Sequence, residues 1–339
     1  MTQDDNARLK AAADKLVSEV LQRRDAARSI RQRALAQAAH SVVETRTTHT
    51  LTAAHLGARP ESTAAIRTAT VQTAGYLLAI GDSWFDYPIN DVLTKLDAHY
   101  GYNIESSAHR GDAVEMMVSH VGQLDKFARK LDKILALGAS PKAVLVSGGG
   151  DDLAGAEFGM LINDIDLTIA GWNDQVLAGV IETRVATAYR KLIYAVNSIC
   201  EQRMQHKVPI VVHGYDYPVP DGRGFLGGWG ILPGPWLKPG FDEKLFVDLD
   251  TTTAMMVTLI DRFNAMLVAL TKDPDFANVH YVDLRGTLSN KRANDEYKQW
   301  WENEIHPTGG AATFMLDTDG FKEVAAKIQA VLVQLPPMS

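Results

Sequence analysis

The sequence has little cysteine, no long apolar run and no block of basic residues. Cys200 is the single cysteine among 339 residues, so a disulfide framework within one chain is impossible and a reducing compartment is expected. A formal net charge of −7 without a basic tract gives no support to nucleic-acid binding. No stretch approaches the roughly 18 apolar residues of a membrane span, and no apolar core of a secretory signal follows the acidic start. These absences predict a cytoplasmic globular protein.

Composition divides the chain into an N-terminal extension and a larger domain. Residues 4 to about 45 are rich in alanine and arginine and free of Gly and Pro, so they predict a long helix. Its modest apolar stripe favours a helix that is solvated or packs on a partner protein or a second copy. The stripe consists of Leu9, Leu16, Val17, Val20 and Leu21. The region from Thr45 to Thr73 resembles a linker, and we predict an extension over 1–73 and a domain over 74–339.

From residue 76 onward, strand and helix patterns alternate as a parallel α/β sheet requires. Apolar runs predict five strands, at 76–80, 102–108, 143–147, 209–213 and 279–283. Helical patterns lie at 89–100, 112–137, 182–207, 250–271 and 321–334. Five parallel strands with helices on both faces is the simplest packing, so the sequence predicts a three-layer α/β/α sandwich.

The most informative motif follows the first predicted strand. Gly81-Asp82-Ser83 delivers a serine hydroxyl to the carboxyl end of a sheet, where α/β folds place their chemistry. Taken alone, the tripeptide is also an ordinary turn before a helix. Three further blocks follow in the chain: His109-Arg110-Gly111-Asp112, Gly149-Gly150-Asp151-Asp152 and Asn303-Glu304-Ile305-His306. The ordered set of four is much more specific than any one of its members.

This succession resembles the SGNH (GDSL-type) hydrolase family over roughly residues 76 to 334. The resemblance implies a flavodoxin-like strand order and a serine esterase or lipase that needs no cofactor and no metal. It implies Ser83 as the nucleophile and His306 as the general base and acid. The backbone N–H groups of Ser83 and Gly111 would then face the developing oxyanion.

Two residues depart from the family's pattern. Asp151 stands where the family has an asparagine that donates the third hydrogen bond to the oxyanion, whereas an ionised carboxylate can only accept. Either Asp151 is protonated beside Asp152, or the site is attenuated, or another group donates. Asn303 stands at the family's aspartate position, where its amide oxygen can orient His306 without a full charge. The two flanking glutamates need not face the imidazole ring.

A Gly- and Pro-rich segment over residues 215–241 follows the fourth predicted strand and therefore lies on the same rim as Ser83. It contains five of the 13 prolines and cannot form a regular helix or strand. It is either a packed structural loop or the wall of a substrate pocket. In the second case, tryptophans would contact a small-molecule ester: Trp84, Trp229 and Trp236.

Two other functions stay open beside ester hydrolysis. A metal-dependent phosphoesterase could use carboxylate and imidazole ligands, although the sequence lacks a His-x-His pair to complete a two-metal site. Its ligands would be Asp82, Asp86, Asp151, Asp152 and His306. The departures at positions 151 and 303 would also suit a binding protein that has kept the scaffold with attenuated catalysis. Our preferred hypothesis is a serine esterase with a Ser83–His306 pair.

Overall fold

A five-stranded parallel sheet forms the centre of the computed structural model. The structure describes residues 2–54, 73–119, 121–227, 232–310, 313 and 316–335, without the side chains of 38–54. The strands are β1 Gly75–Ile80, β2 Tyr102–Ser106, β3 Pro141–Val146, β4 Ile210–His213 and β5 Val279–Val282. Their order in the sheet is β2-β1-β3-β4-β5, with every pair parallel. The predicted flavodoxin-like order is confirmed, and it reverses direction at β1.

Helices cover both faces of this sheet. They are α1 Gln3–Ala54, α2 Val92–Tyr100, α3 Val114–Met117, α4 Leu124–Ala136, α5 Gly150–Leu153, α6 Asp174–Ala178, α7 Ala186–Met204, α8 Lys238–Glu243, α9 Leu249–Thr271 and α10 Gly320–Leu332. A π-helical segment, Gly179–Val185, joins α6 to α7. Shorter 3₁₀ segments are Phe158–Leu161, Phe225–Gly227, Pro274–Phe276 and Ala293–Gln299. A small antiparallel pair, Ile162–Asn163 with Gly171–Trp172, lies outside the main sheet.

The first half of α1 packs on the α/β domain. It contacts α4 and α7, and side chains of the predicted apolar stripe are buried there. They are Leu16, Val17, Val20 and Leu21, with Ala13 beside them. The helix continues to Ala54 and so includes the first part of the predicted linker, where no Gly or Pro occurs before Gly57. The remainder of that linker, 55–72, lies outside the described residues.

The single long helix predicted over 112–137 is wrong, because the segment divides into α3 and α4. A side chain at Gly122 would place its Cβ 2.3 Å from the Met116 carbonyl oxygen, so this close approach requires glycine. The break lets the Gln123 amide bind both backbone groups of Gly81, at 2.7 and 3.0 Å. The Asp112 carboxylate accepts from Gln123 Nε2 at 2.9 Å. The interruption therefore fixes the backbone two residues before Ser83.

The helix α9 is long and apolar enough, by length and composition, to cross a membrane, which the sequence analysis did not anticipate. Half of its most apolar window is buried within the fold, as expected of a core helix in a globular protein. Phe263 and Asn264 are completely buried, and the Asn264 amide donates to the Tyr215 carbonyl at 3.2 Å. The helix thus supports the segment that follows β4.

Candidate active site

Ser83 lies just after β1, where the strand order changes direction and open α/β sheets form their ligand crevice. Its turn is organised by the buried carboxylate of Asp82, which accepts from the Trp84 backbone N–H at 3.1 Å and the Ser147 hydroxyl at 2.7 Å. The Tyr215 hydroxyl also donates to Asp82. These contacts join the residues that follow β1, β3 and β4. Ser83 itself stays partly exposed.

The hydroxyl of Ser83 contacts the imidazole of His306, with 2.8 Å between Oγ and Nε2. On the other side of the ring, Nδ1 lies 3.0 Å from the Oδ1 atom of Asn303. That Oδ1 also accepts the backbone N–H groups of Ile305 and His306, at 3.1 and 3.0 Å, which identifies it as the amide oxygen. Nδ1 must therefore carry the proton, and Nε2 presents a lone pair to Ser83.

Burial keeps this imidazole neutral. The side chain of His306 is almost fully buried, and desolvation lowers its pKa to about 3. Its backbone lies in a closed loop, in which the Glu302 N–H donates to the His306 carbonyl at 2.8 Å. The Arg223 guanidinium donates to the carbonyls of Trp301 and Glu302, and Trp84 Nε1 donates to Ile305 O at 3.0 Å. A neutral imidazole held in this way can accept a proton from Ser83.

Gly111 and Asp151 lie at the same cavity as Ser83 and His306. Gly111 has a φ of 83°, in the left-handed region that favours glycine. The Oδ2 atom of Asp151 is buried and has no hydrogen-bond partner among the described residues. Burial, followed by the charges of Asp82 and other aspartates, raises the pKa of Asp151 to about 8, while the Gly111 amide opposes the shift. A pKa raised to about 8 favours the protonated carboxyl group of Asp151 at pH 7, and only that form has a proton to donate.

Two cavities meet at Ser83. The first, the Met256 cavity, has a volume of about 50 Å³ and is mainly apolar. Its lining includes Leu153, Ala154, Met256, Leu259 and Ile260. The second, the Trp236 cavity, has a volume of about 280 Å³ and contains His306 in its wall. It is also lined by Tyr87, Arg110, Phe225, Pro233 and Trp236.

The three tryptophans that were predicted to contact a substrate differ in their positions. Trp84 is almost fully buried beside the Met256 cavity, and the Trp236 ring lies 5.5 Å from that of His306. Trp229 lies outside the described residues. The 215–241 segment is held by the buried carboxylate of Glu304, which accepts four backbone N–H groups at 2.6 to 3.0 Å. They belong to Gly222, Trp236, Leu237 and Lys238. The described parts of the segment, 215–227 and 232–241, are therefore both held by Glu304 and part of a cavity wall.

The five candidate metal ligands do not form a ligand set. Asp86 forms an ion pair with Arg110, with 3.1 Å between Oδ2 and Nε. Asp152, whose pKa burial raises to about 6, accepts from the Val114 N–H at 2.9 Å. Across the described ranges of the chain, no group of three or more His, Cys, Asp or Glu side chains is placed to hold a metal ion. The geometry therefore does not favour the phosphoesterase hypothesis.

Sequence analysis did not identify two residues that contact this site, Tyr87 and Glu302. The Asn303 amide donates to the Tyr87 oxygen at 3.0 Å, and the Tyr87 hydroxyl donates to Glu302 Oε1 at 2.8 Å. The Tyr87 ring also lies 4.3 Å from the His306 ring. The sequence contained one indication of such residues. Asn303 stands where the family has an aspartate, so the negative charge beside His306 has to come from a neighbouring residue. Of the two flanking glutamates, Glu302 reaches Asn303 through Tyr87, whereas Glu304 binds the 215–241 segment.

No protein-family model and no curated protein matches the chain. Among solved structures, it is similar to an extracellular lipase from Streptomyces rimosus, at 18% identity and a TM-score of 0.41, covering 76% of this chain and 99% of that one. A catalytic mutant of an acetylxylan esterase from Geobacillus stearothermophilus is 13% identical, with a TM-score of 0.39 and coverages of 77% and 94%. A carbohydrate acetylesterase from Sinorhizobium meliloti is 15% identical, with a TM-score of 0.37 and coverages of 76% and 99%. Likenesses at this level carry no conclusion about activity.

Proposed function

We propose that the chain hydrolyses carboxylic esters of small molecules through an acyl-enzyme at Ser83. The observation that carries this proposal is the 2.8 Å contact between Ser83 Oγ and Nε2 of a neutral, oriented His306. Nucleophile and base within hydrogen-bonding reach, with the base held by a third group, is the arrangement that activates a serine. Both side chains border the Trp236 cavity, where a substrate can reach them.

The reaction then proceeds in two acyl-transfer steps. Ser83 Oγ attacks the carbonyl carbon while its proton passes to His306 Nε2, and the carbonyl electron pair moves onto oxygen. The N–H groups of Ser83 and Gly111 and the Asp151 hydroxyl stabilise this oxyanion. Its collapse expels the alcohol oxygen, which takes the proton from His306. A water molecule, deprotonated by His306, attacks the acyl-enzyme in the same way and releases the acid.

The two cavities separate the acyl and alcohol parts of the substrate. The leaving oxygen must approach His306 Nε2, which protonates it. Of the two cavities, only the Trp236 cavity has His306 in its lining. The alcohol therefore occupies the Trp236 cavity, and the acyl chain occupies the Met256 cavity, which Ser83 also lines. One water needs about 10–15 Å³ of such volume, so a cavity of about 50 Å³ suits a short acyl chain.

We expect Ala154→Leu to shift acyl preference toward acetate. The added methyl groups fill part of the Met256 cavity, and a butyryl group needs space there for two more methylenes than an acetyl group. At about 0.8 kcal/mol per buried methylene, kcat/KM for 4-nitrophenyl butyrate should fall about tenfold relative to the acetate. Ala139→Leu is the matched control, since Ala139 is also partly buried but lies outside both cavities. An unchanged ratio of the two esters would contradict the acyl assignment.

Labelling with a fluorophosphonate tests the nucleophile directly. The wild-type protein should gain one adduct per chain in intact-mass spectrometry, because the hydroxyl of an activated serine attacks the probe's phosphorus and displaces fluoride. Ser83→Ala should gain none, whereas Ser106→Ala, which removes another serine at the end of a strand, should label like the wild type. A folded wild type that remains unlabelled would overturn the proposal and favour the binding-protein alternative.

A further inference from the structure

A continuous chain of hydrogen bonds extends from the candidate nucleophile to a carboxylate. Ser83 donates to His306, His306 to Asn303, Asn303 to Tyr87, and Tyr87 to Glu302. The four donor–acceptor distances, in that order, are 2.8, 3.0, 3.0 and 2.8 Å. Every donor points in the same direction, so the dipoles of the intervening groups add rather than cancel. The chain ends on the one member that can carry a full negative charge.

Burial makes this chain electrostatically effective. The exposed fractions are 4% for His306, 0% for Asn303 and 6% for both Tyr87 and Glu302. Charge–dipole interactions are stronger in such surroundings than in water. Burial, together with the Glu302 charge, raises the pKa of Tyr87 far above its ordinary value. The phenol therefore keeps its proton and remains a donor to Glu302.

The end of the chain is also fixed in position. The second carboxylate oxygen of Glu302 accepts from the Thr313 hydroxyl at 2.9 Å. Gly310 packs so closely that an added Cβ would lie 2.5 Å from Tyr87 Cε1 and 2.9 Å from Glu302 Oε2. Tyr87 and Glu302 therefore cannot move apart without disturbing the backbone around Gly310.

We infer that Tyr87 and Glu302 are positioning residues for His306, and that they supply through Asn303 the negative charge that Asn303 lacks. This inference rests on the proposed function. When the Ser83 proton reaches Nε2, the positive charge on His306 is stabilised by the oriented amide, the phenol and finally the Glu302 carboxylate. The proton stops at His306. The other hydrogen bonds keep their donors throughout, because an amide N–H does not release its proton here.

The first measurement uses Glu302→Gln and Tyr87→Phe, each nearly isosteric with the residue it replaces. Each should lower kcat on an aryl ester about tenfold with KM nearly unchanged, since tenfold corresponds to one pKa unit of lost imidazolium stabilisation. The double variant should be no slower than the worse single variant, because both act through one chain of contacts. Tyr87→Phe leaves the carboxylate in place, so it tests the inference even if Glu302→Gln fails to fold.

The decisive measurement is rescue by Asn303→Asp. In the Glu302→Gln background it should restore kcat about tenfold, since an aspartate next to His306 supplies the missing charge directly. In the wild-type background it should raise kcat less than about threefold, because two carboxylates would then compete for the single Tyr87 hydroxyl. The same factor in both backgrounds would overturn the inference.

Glu304→Gln is the matched control, a second buried glutamate in the same loop that binds the 215–241 segment instead. Its loss of activity should not be rescued by Asn303→Asp, whereas rescue of both glutamine variants would show a general effect and overturn the inference. Fluorophosphonate labelling distinguishes a failure of the proposed function from a failure of this inference. An unlabelled wild type overturns the proposed function, and a labelled wild type without coupling between 302 and 303 overturns this inference alone.

Discussion

Replacing Ser83 by alanine is expected to lower kcat on a simple aryl ester by a factor of about 10⁴ or more. The substitution removes the atom that forms the acyl-enzyme, and the remaining groups can only orient a water molecule. His306→Ala should cause a similar loss, because Ser83 then lacks the base 2.8 Å from its hydroxyl. Initial rates at saturating substrate measure both losses, and circular dichroism checks that each variant is folded.

The double variant distinguishes a working pair from two independent contributions. Since the serine and the histidine act as one unit, removing both should cost about as much as removing either one. A double variant far slower than both single variants would contradict this pairing. Full activity in Ser83→Ala would instead place the chemistry elsewhere in the molecule.

The second large effect concerns Asp151 and depends on pH. Because the pKa of Asp151 is raised to about 8, the carboxyl group is protonated at lower pH and ionises as the pH rises through 8. His306 has a pKa of about 3 and is already neutral over this range. The wild type should therefore lose activity above pH 8, where a donor to the oxyanion becomes a negative charge. Asp151→Asn keeps an N–H donor at every pH, so its rate should stay level.

The expected difference is largest at alkaline pH. One oxyanion donor contributes about 10²–10³ in kcat, so at pH 10 Asp151→Asn should be about a hundredfold faster than the wild type. Below pH 7 the two should agree within about threefold, because both then carry a neutral donor. Rates between pH 5 and 10, corrected for uncatalysed hydrolysis, test this. Parallel profiles across the whole range would show that Asp151 does not face the oxyanion.

Measuring this pH dependence would decide between the alternatives that the sequence left open for Asp151. If the rates follow the expected course, Asp151 is a neutral donor at pH 7, and an aspartate at the family's asparagine position implies no loss of function. The choice depends on burial and on the nearby carboxylates, above all that of Asp82. Those residues are distant in sequence, so no local pattern could indicate the protonation state.

Local signals were sufficient for much of the fold. Five apolar runs predicted five strands, and the resemblance to the SGNH family implied the flavodoxin-like strand order that the sheet has. The division of residues 112–137 into the two helices α3 and α4 was harder to predict. The break between α3 and α4 depends on the close approach of Gly122 to carbonyl oxygens and on a contact between Gln123 and Gly81. Neither contact follows from helical periodicity.

The sequence by itself determined the α/β class, the candidate residues Ser83 and His306, and the two departures at Asp151 and Asn303. The class follows from apolar runs, and the candidate residues and the two departures follow from the resemblance of four short motifs to those of the SGNH family; all of these are properties of short segments. Tertiary structure alone decided that the loop carrying His306 closes on Ser83, and that Tyr87 connects Asn303 to Glu302. The physical reason is that hydrogen bonds and desolvation act through space. They depend on which segments a fold brings into contact, and for Ser83 and Glu302 those segments are more than 200 residues apart in the chain.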